Sequence, residues 1–209
     1  GWKRVRRVVG VMTIGAVILG FTLSSLHQAG LGALFLMAKS KIHPLWYSEF
    51  IPIYFFVSSI FAGLSLVIFE GSISHKIFKD KLTPELHANY NSIVVGLAKI
   101  CSGTMFVYLF LKILSIFHGQ HLADLTTSWG LWFLLEVIGF VLFPCILFLI
   151  GAKQQNMIII RVASVLTLVG IILNRLNVSL IAYRWFDAVR YVPSWMEIEI
   201  TMAVILAEV

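Results

Sequence analysis

The chain is predicted to be an all-α, polytopic transmembrane helix bundle. Hydrophobic residues make up 59% of its 209 positions and charged residues only 12%. Mean hydropathy is +0.93. The apolar residues fall in stretches about as long as a bilayer is thick, since a hydrocarbon core of roughly 30 Å takes about 20 residues of helix. Backbone polar groups in lipid must be satisfied within the segment, which makes these stretches helices. The alternation over about ten residues that marks a transmembrane β-barrel is absent.

The spans read in order. The first runs from about Val8 to Met37 and the second from about Phe50 to Phe69. The third covers about Ser92 to Phe117, the fourth Trp129 to Ile150 and the fifth Met157 to Ala182. A sixth begins near Trp195 and is cut short at Val209. Thirty residues of helix would reach about 45 Å, so the first span is expected to tilt, or to break near Gly30 and Gly32 into a short interfacial segment. The chain begins at Gly1 directly before a span and stops within another. It is therefore expected to be one membrane domain over residues 1–209, a piece of a longer protein that lacks the first helices.

The net charge of +6 would raise nucleic acid as a partner in a soluble protein. Here the basic residues sit mainly in particular loops, and membrane orientation explains them. Lys3, Arg4, Arg6, Arg7, Lys76, Lys79, Lys81, Lys153 and Arg161 put nine basic residues on one side, against four (Lys39, Lys41, Arg184, Arg190) on the other. The nine-residue side is expected to be cytoplasmic. Trp46, Tyr47, Trp129, Trp132, Trp185, Tyr191 and Trp195 then gather at the outer ends, as an aromatic belt would. Cys101 and Cys145 both fall in apolar stretches, with no CxxC spacing, and read as small buried residues.

Ionisable residues inside the spans are the candidate functional groups, because each costs roughly 2.5–3.5 kcal/mol at mid-membrane. Glu136 lies seven residues in from Trp129, about 10 Å below the outer surface. Arg175 lies fourteen residues up from Arg161, which leaves about 9 Å to that same surface. Equal depth predicts that the two pair or share a polar cavity. Asn174 and Asn177, three residues apart, share a helix face beside Arg175. The simplest role for this group is a structural lock between helices; the other is a proton path.

His27 is expected about 28 Å from Val8, near the outer end of span one. With Gln28, Lys112, His43, His118 and His121 it concentrates hydrogen-bonding and titratable groups toward the outer face. A histidine there suits a quinone head group, which needs hydrogen bonds to its carbonyls and an exchange route for protons. His27 and Gln28 are the candidate quinone-binding residues. Lys112 can equally snorkel to the surface. Toward the inner face Glu70, Lys99 and Asn89 to Asn91 could relay protons; alternatively Glu70 is a helix-end charge and Lys99 a snorkelling lysine.

Several segments carry a family resemblance. Leu26-His27-Gln28, Leu31-Gly32 and His43-Pro44-Leu45-Trp46 resemble the NrfD/PsrC family of quinone-reactive membrane subunits, and most closely its HybB-type branch, found with periplasm-facing [NiFe] hydrogenases. Ile60-Phe61-Ala62-Gly63, Val67-Ile68-Phe69-Glu70, Asn174-Arg175-Leu176-Asn177-Val178-Ser179 and Pro193-Ser194-Trp195-Met196-Glu197 fit the same pattern. The resemblance implies roughly eight to ten helices in two four-helix bundles. This piece would hold the last helix of the first bundle and most of the second. It further implies no heme or metal bound by this chain, and a quinone (menaquinone or ubiquinone) pocket in the first bundle near the outer face, to which His27 is carried over. The implied partners are a ferredoxin-like iron–sulfur subunit or a multiheme cytochrome c on the outer face, with a catalytic hydrogenase or reductase subunit beyond it.

The expected function follows: a multi-pass subunit of a respiratory redox complex in the bacterial inner membrane, exchanging electrons between quinone and an outer-face partner. Proton translocation is an optional coupling, and the chain is not catalytic alone. Two other classes compete. A heme-b cytochrome subunit would need facing axial ligands, for which His27 and His118 lie at similar depth, although no span holds paired histidines. An ion or solute transporter without redox work would equally explain buried Lys99, Glu136 and Arg175, but should show an internal repeat or broken helices.

Overall fold

The computed structural model describes residues 2–77, 84–120, 122–186 and 193–207. The observed elements are helices α1 (Trp2–Leu34), α2 (Ile51–Ile77), α3 (Pro84–His118), α4 (Ser128–Leu134), α5 (Phe143–Gln154), α6 (Met157–Leu176) and α7 (Trp195–Ala207). A π-helical segment, Leu135–Leu142, joins α4 to α5 without a break, and a second, Asn177–Ile181, extends α6. Five helical stretches are long and apolar enough to cross a membrane: Met12–Ala38, Ile51–Ile77, Asn89–His118, Ser128–Gln154 and Met157–Ile181. The protein is an all-α, multi-pass membrane bundle.

Packing follows chain order. α2 lies against α1, α3 and α6, while α5 closes the ring against α3 and α6. One buried core lies at mid-bundle, around Phe61, Ile68, Ala98, Cys101, Met105 and Phe148. A second, aromatic core fills the tryptophan-rich end, around Trp46, Phe55, Phe133 and Val178. Cys101 and Cys145 are buried in the first core, each beside a serine: Ser65 for Cys101 and Ser102 for Cys145, both at 3.4 Å.

Glycine sets two of the helix crossings. A Cβ at Gly32 would stand 2.8 Å from the Pro52 Cα, so its absence lets α1 cross α2 at close range. The helix does not break at Gly30 or Gly32; it continues to Leu34 and tightens into a 3-10 turn over Phe35–Ala38. At Gly170 a Cβ would stand 2.6 Å from the Phe140 Cβ, which brings α6 onto the π-helical segment that carries Glu136. The turn between α5 and α6 uses Gln155 in the left-handed region (φ 51°), and the Asn156 side chain then caps α6 by accepting from the Ile158 and Ile159 N–H groups.

Some boundaries differ from the expected ones. α2 runs past Glu70 to Ile77, a stretch without proline, and Ser72 bonds back to the Ile68 carbonyl within it. Glu70 is therefore not a helix-end charge. α7 is thirteen residues long.

Candidate functional site

The site begins with how two loops meet. The His43 N–H donates to the Ala182 carbonyl (3.0 Å) and the Arg184 N–H to the Lys41 carbonyl (2.6 Å). This antiparallel bridge ties the α1–α2 connection to the segment after α6 at the tryptophan-rich end. It swings Trp46 inward, where the residue is 1% exposed. Trp46 is thus not part of an aromatic belt. Its indole N–H needs an acceptor once buried, and it donates to Glu136 Oε2 at 2.8 Å.

Glu136 is 2% exposed and gathers three donors. Besides Trp46, the Asn174 amide donates to Oε1 (2.5 Å) and the Asn177 amide to Oε2. Asn177 in turn accepts from the Trp132 indole N–H at 3.0 Å. Both helices that supply this group change to π-helical winding there: Glu136 sits in one π segment and Asn177 starts the other. Such segments recur at functional sites. Here the extra residue per turn re-aims the side chains of both helices toward each other.

Arg175 joins through an amide. Asn174 donates to Glu136 and, through its Oδ1, accepts from Arg175 Nη1 at 3.5 Å. The other guanidinium nitrogen donates to Ser58 Oγ (2.8 Å) and to the Phe55 carbonyl (3.3 Å). The guanidinium carbon lies 3.6 Å above the centre of the Phe55 ring. Carboxylate and guanidinium therefore share one polar cluster, linked by Asn174, without a direct ion pair among the described contacts.

Lys112, 5% exposed, approaches from α3. Its ammonium lies 5.0 Å from the Tyr54 ring centre, 5.4 Å from that of Phe133 and 6.0 Å from that of Tyr108. It stands within electrostatic reach of both Glu136 and Arg175. Beside it is a cavity of about 10 Å³, room for about one water. Tyr47, Ser48 and Ser115 line that cavity and also a larger cleft of about 380 Å³ open at the tryptophan-rich end, with Lys39, Glu49 and His118 on its walls. The Ser115 hydroxyl donates to Ser48 Oγ at 2.9 Å between the two spaces. His43, 6% exposed, packs among Trp46, Trp129 and Trp185, with ring centres 4.8–5.6 Å away.

The remaining candidates lie apart. His27 is exposed on α1 and Gln28, next to it, is half-buried. Gln28 lines a cleft between α1, α2 and α6 that also reaches Arg175. Glu70 and Lys99 are exposed on α2 and α3 and do not join the Glu136 cluster; Asn89 and Asn91 are likewise exposed. His118 is exposed at the end of α3, and His121 lies outside the described residues. Sequence reasoning missed Trp46, Ser58 and Trp132 as members of the cluster. For Trp46 the usable signal was a tryptophan directly after His43-Pro44-Leu45.

Comparison with known proteins adds the family. The model of the family described as polysulphide reductase, NrfD, matches residues 1–186. A protein of Nitratidesulfovibrio vulgaris (strain Hildenborough), named only "Protein", is 42% identical over 98% of this chain and 53% of its own length. The "Probable Ni/Fe-hydrogenase 2 b-type cytochrome subunit" of Escherichia coli K12 is 26% identical over 100% of this chain and 53% of its own length. The chain thus spans about half the length of these relatives. No solved structure matches it.

The second of those names corrects one expectation. A relative called a b-type cytochrome subunit points to heme, and overturns the exclusion of heme drawn from the resemblance. The buried cluster itself does not fit that group: its members are a carboxylate, amides, indoles and two cations, none of them the usual axial ligand of heme iron. Among the described residues no three His, Cys, Asp or Glu side chains come together as a metal site. The family model over residues 1–186 and the 42% identity along almost the whole chain agree: this chain belongs to the NrfD family of membrane proteins.

Proposed function

We propose that the chain is part of the membrane subunit of a respiratory redox complex in the bacterial inner membrane. It exchanges electrons between the quinone pool and a ferredoxin-like iron–sulfur or multiheme cytochrome c subunit docked at the outer face. The tryptophan-rich end is that face, as the loop charges suggest. His27 and Gln28 on α1 serve the quinone. Family membership supports the class of complex.

The observation that carries the reading is the buried carboxylate of Glu136, held by three N–H donors and linked through Asn174 to the Arg175 guanidinium near one end of the bundle. Lipid-embedded charge on this scale is expensive, and marks ion and proton pathways. A proton arriving on Glu136 would turn an acceptor into a donor facing N–H groups, so the amides would have to reorder. Lys112 and its one-water cavity lead from there toward the cleft that holds His118. The cluster therefore couples a change of charge at the bundle core to the outer face. Quinone-linked turnover of the intact complex is the test. It should fall strongly in His27→Ala and in Glu136→Gln; unchanged turnover and quinone affinity in both would remove this assignment.

A second reading, a heme-b-bearing membrane subunit, is favoured by the printed name of the E. coli relative. A pyridine hemochrome spectrum of the purified complex separates the two.

A further inference from the structure

The ammonium of Lys112 is a buried donor without an acceptor among the described residues. The residue is 5% exposed, and its close contacts are the ring faces of Tyr54, Tyr108 and Phe133. No hydrogen bond joins it to a described residue. An ammonium carries three N–H groups, and leaving them unsatisfied in a dry interior is costly. Among the described residues no fully enclosed side-chain N or O is unpaired, so Nζ keeps a face open. The space it faces is the cavity of about 10 Å³, room for about one water. The charged and titratable groups around Lys112 are Glu136 from the π-helical segment, Arg175 from α6, Tyr54 from α2 and Tyr108 from its own helix.

The cavity walls supply the partners of such a water. They come from the α1–α2 connection, α2, α3 and α4, and so lie inside the described packing. Ser48 Oγ accepts from the Ser115 hydroxyl (2.9 Å) and from the Phe50 N–H (3.2 Å), which leaves its own O–H to donate into the cavity. The Tyr54 hydroxyl, held by the Leu111 carbonyl at 3.0 Å, stands beside both serines. Ser48 and Ser115 also line the cleft of about 380 Å³ where His118 stands. The hydroxyl pair is thus the partition between a buried ammonium and that cleft.

Toward the other end the buried hydroxyls are committed elsewhere. Ser65 pairs with the Cys101 thiol, Ser102 donates to the Cys145 carbonyl and Thr167 to the Ala163 carbonyl. Around them the core is apolar, with Phe61, Ile68, Met105 and Phe148.

We propose that the Ser48–Ser115 pair is a gate through which Lys112 exchanges protons, by way of one ordered water, with the tryptophan-rich end of the bundle and with that end alone. The inference rests on the reading that the Glu136 cluster changes charge during turnover. Outward, the ammonium gives one proton to the water, and the water passes one of its own to Ser48 Oγ. Ser48 passes its hydroxyl proton to Ser115 Oγ, and Ser115 passes its own to water in the cleft. Lys112 is left a neutral amine, the other groups keep their proton count, and no electron moves. Inward transfer runs the chain backwards, and the observed donation from Ser115 to Ser48 is the orientation that serves it.

The test uses the full-length protein in its intact complex, reconstituted in liposomes, with a pH-indicating dye on either side and a quinol pulse sized for one turnover. The part of the proton signal that is lost in Lys112→Met should arise at the tryptophan-rich end. Removal of the gate hydroxyl in Ser115→Ala should slow that part about tenfold or more, and Ser48→Ala, a second cut in the same chain, should do the same. Ser115→Thr keeps the hydroxyl and should preserve the rate. An unchanged rate in both alanine variants, or a Lys112-dependent signal at the opposite end, overturns the gate while the functional reading stands. So does a density map that resolves water and shows the cavity beside Lys112 empty. Absence of any Lys112-dependent signal also overturns it; if turnover is then indifferent to Glu136→Gln and His27→Ala as well, the functional reading falls with it.

Discussion

The indole N–H of Trp46 bonds the carboxylate of Glu136 at 2.8 Å, across 90 residues of chain. A loop residue thereby roofs a charge in the membrane-spanning helices. The bond depends on the backbone bridge between Ile42 and Tyr183, so loop order and core polarity are one structural unit.

Removal of that carboxylate should cost stability. In Glu136→Ala the Trp46, Asn174 and Asn177 N–H groups lose their acceptor, at about 1–3 kcal/mol for each group left buried and unsatisfied. Glu136→Gln keeps one oxygen for Trp46 and Asn177, and Asn174 can flip to meet the new NH₂, at the expense of Arg175. Thermal denaturation in detergent should rank wild type above Gln and Gln above Ala.

Glycines at two positions should respond oppositely. Gly170→Ala drives a Cβ to 2.6 Å from that of Phe140, and overpacking of this kind costs about 1–3 kcal/mol. Gly63→Ala meets nothing within 4 Å, and gains helix propensity of up to about 1 kcal/mol. Unfolding measured on both variants in the same detergent checks the sign of each.

Lys112→Met should separate stability from function. The ammonium packs on three rings, and an apolar chain of similar length avoids the desolvation of a buried charge. Stability should hold or rise, while quinone-linked turnover of the complex falls. Loss of stability with turnover intact would make Lys112 a packing residue.

Orientation is checked with single cysteines. The native Cys101 and Cys145 are buried. A membrane-impermeant thiol reagent added to cells with a permeabilised outer membrane should label His118→Cys and spare Ser74→Cys. The reverse pattern would invert the topology.

Much of this was legible in the residues. Counting helical rise placed Glu136 and Arg175 at one depth, and the three-residue spacing of Asn174 and Asn177 put both amides on one helix face, which the structure turns toward Glu136. Depth is one-dimensional, however. By sequence Lys99 lies inside its span and Glu70 at the end of its own; both are exposed, and only the packing of α2 against α3 fixes that direction. The π-helical segments at Leu135–Leu142 and Asn177–Ile181 shift the register by a local change of winding, which hydropathy does not record. Trp46 was out of reach because its position depends on pairing between two loops far apart in the chain. Heme was excluded by analogy to the family, and a relative's name overturned that.

Infrared difference spectroscopy of the intact complex, oxidised against quinol-reduced, tests the central assignment most directly. If Glu136 changes its hydrogen bonding or protonation as the complex turns over, a carboxyl band will appear in the difference spectrum and vanish in Glu136→Gln. Identical difference spectra for wild type and Glu136→Gln would contradict the account and leave the cluster a structural tie between helices.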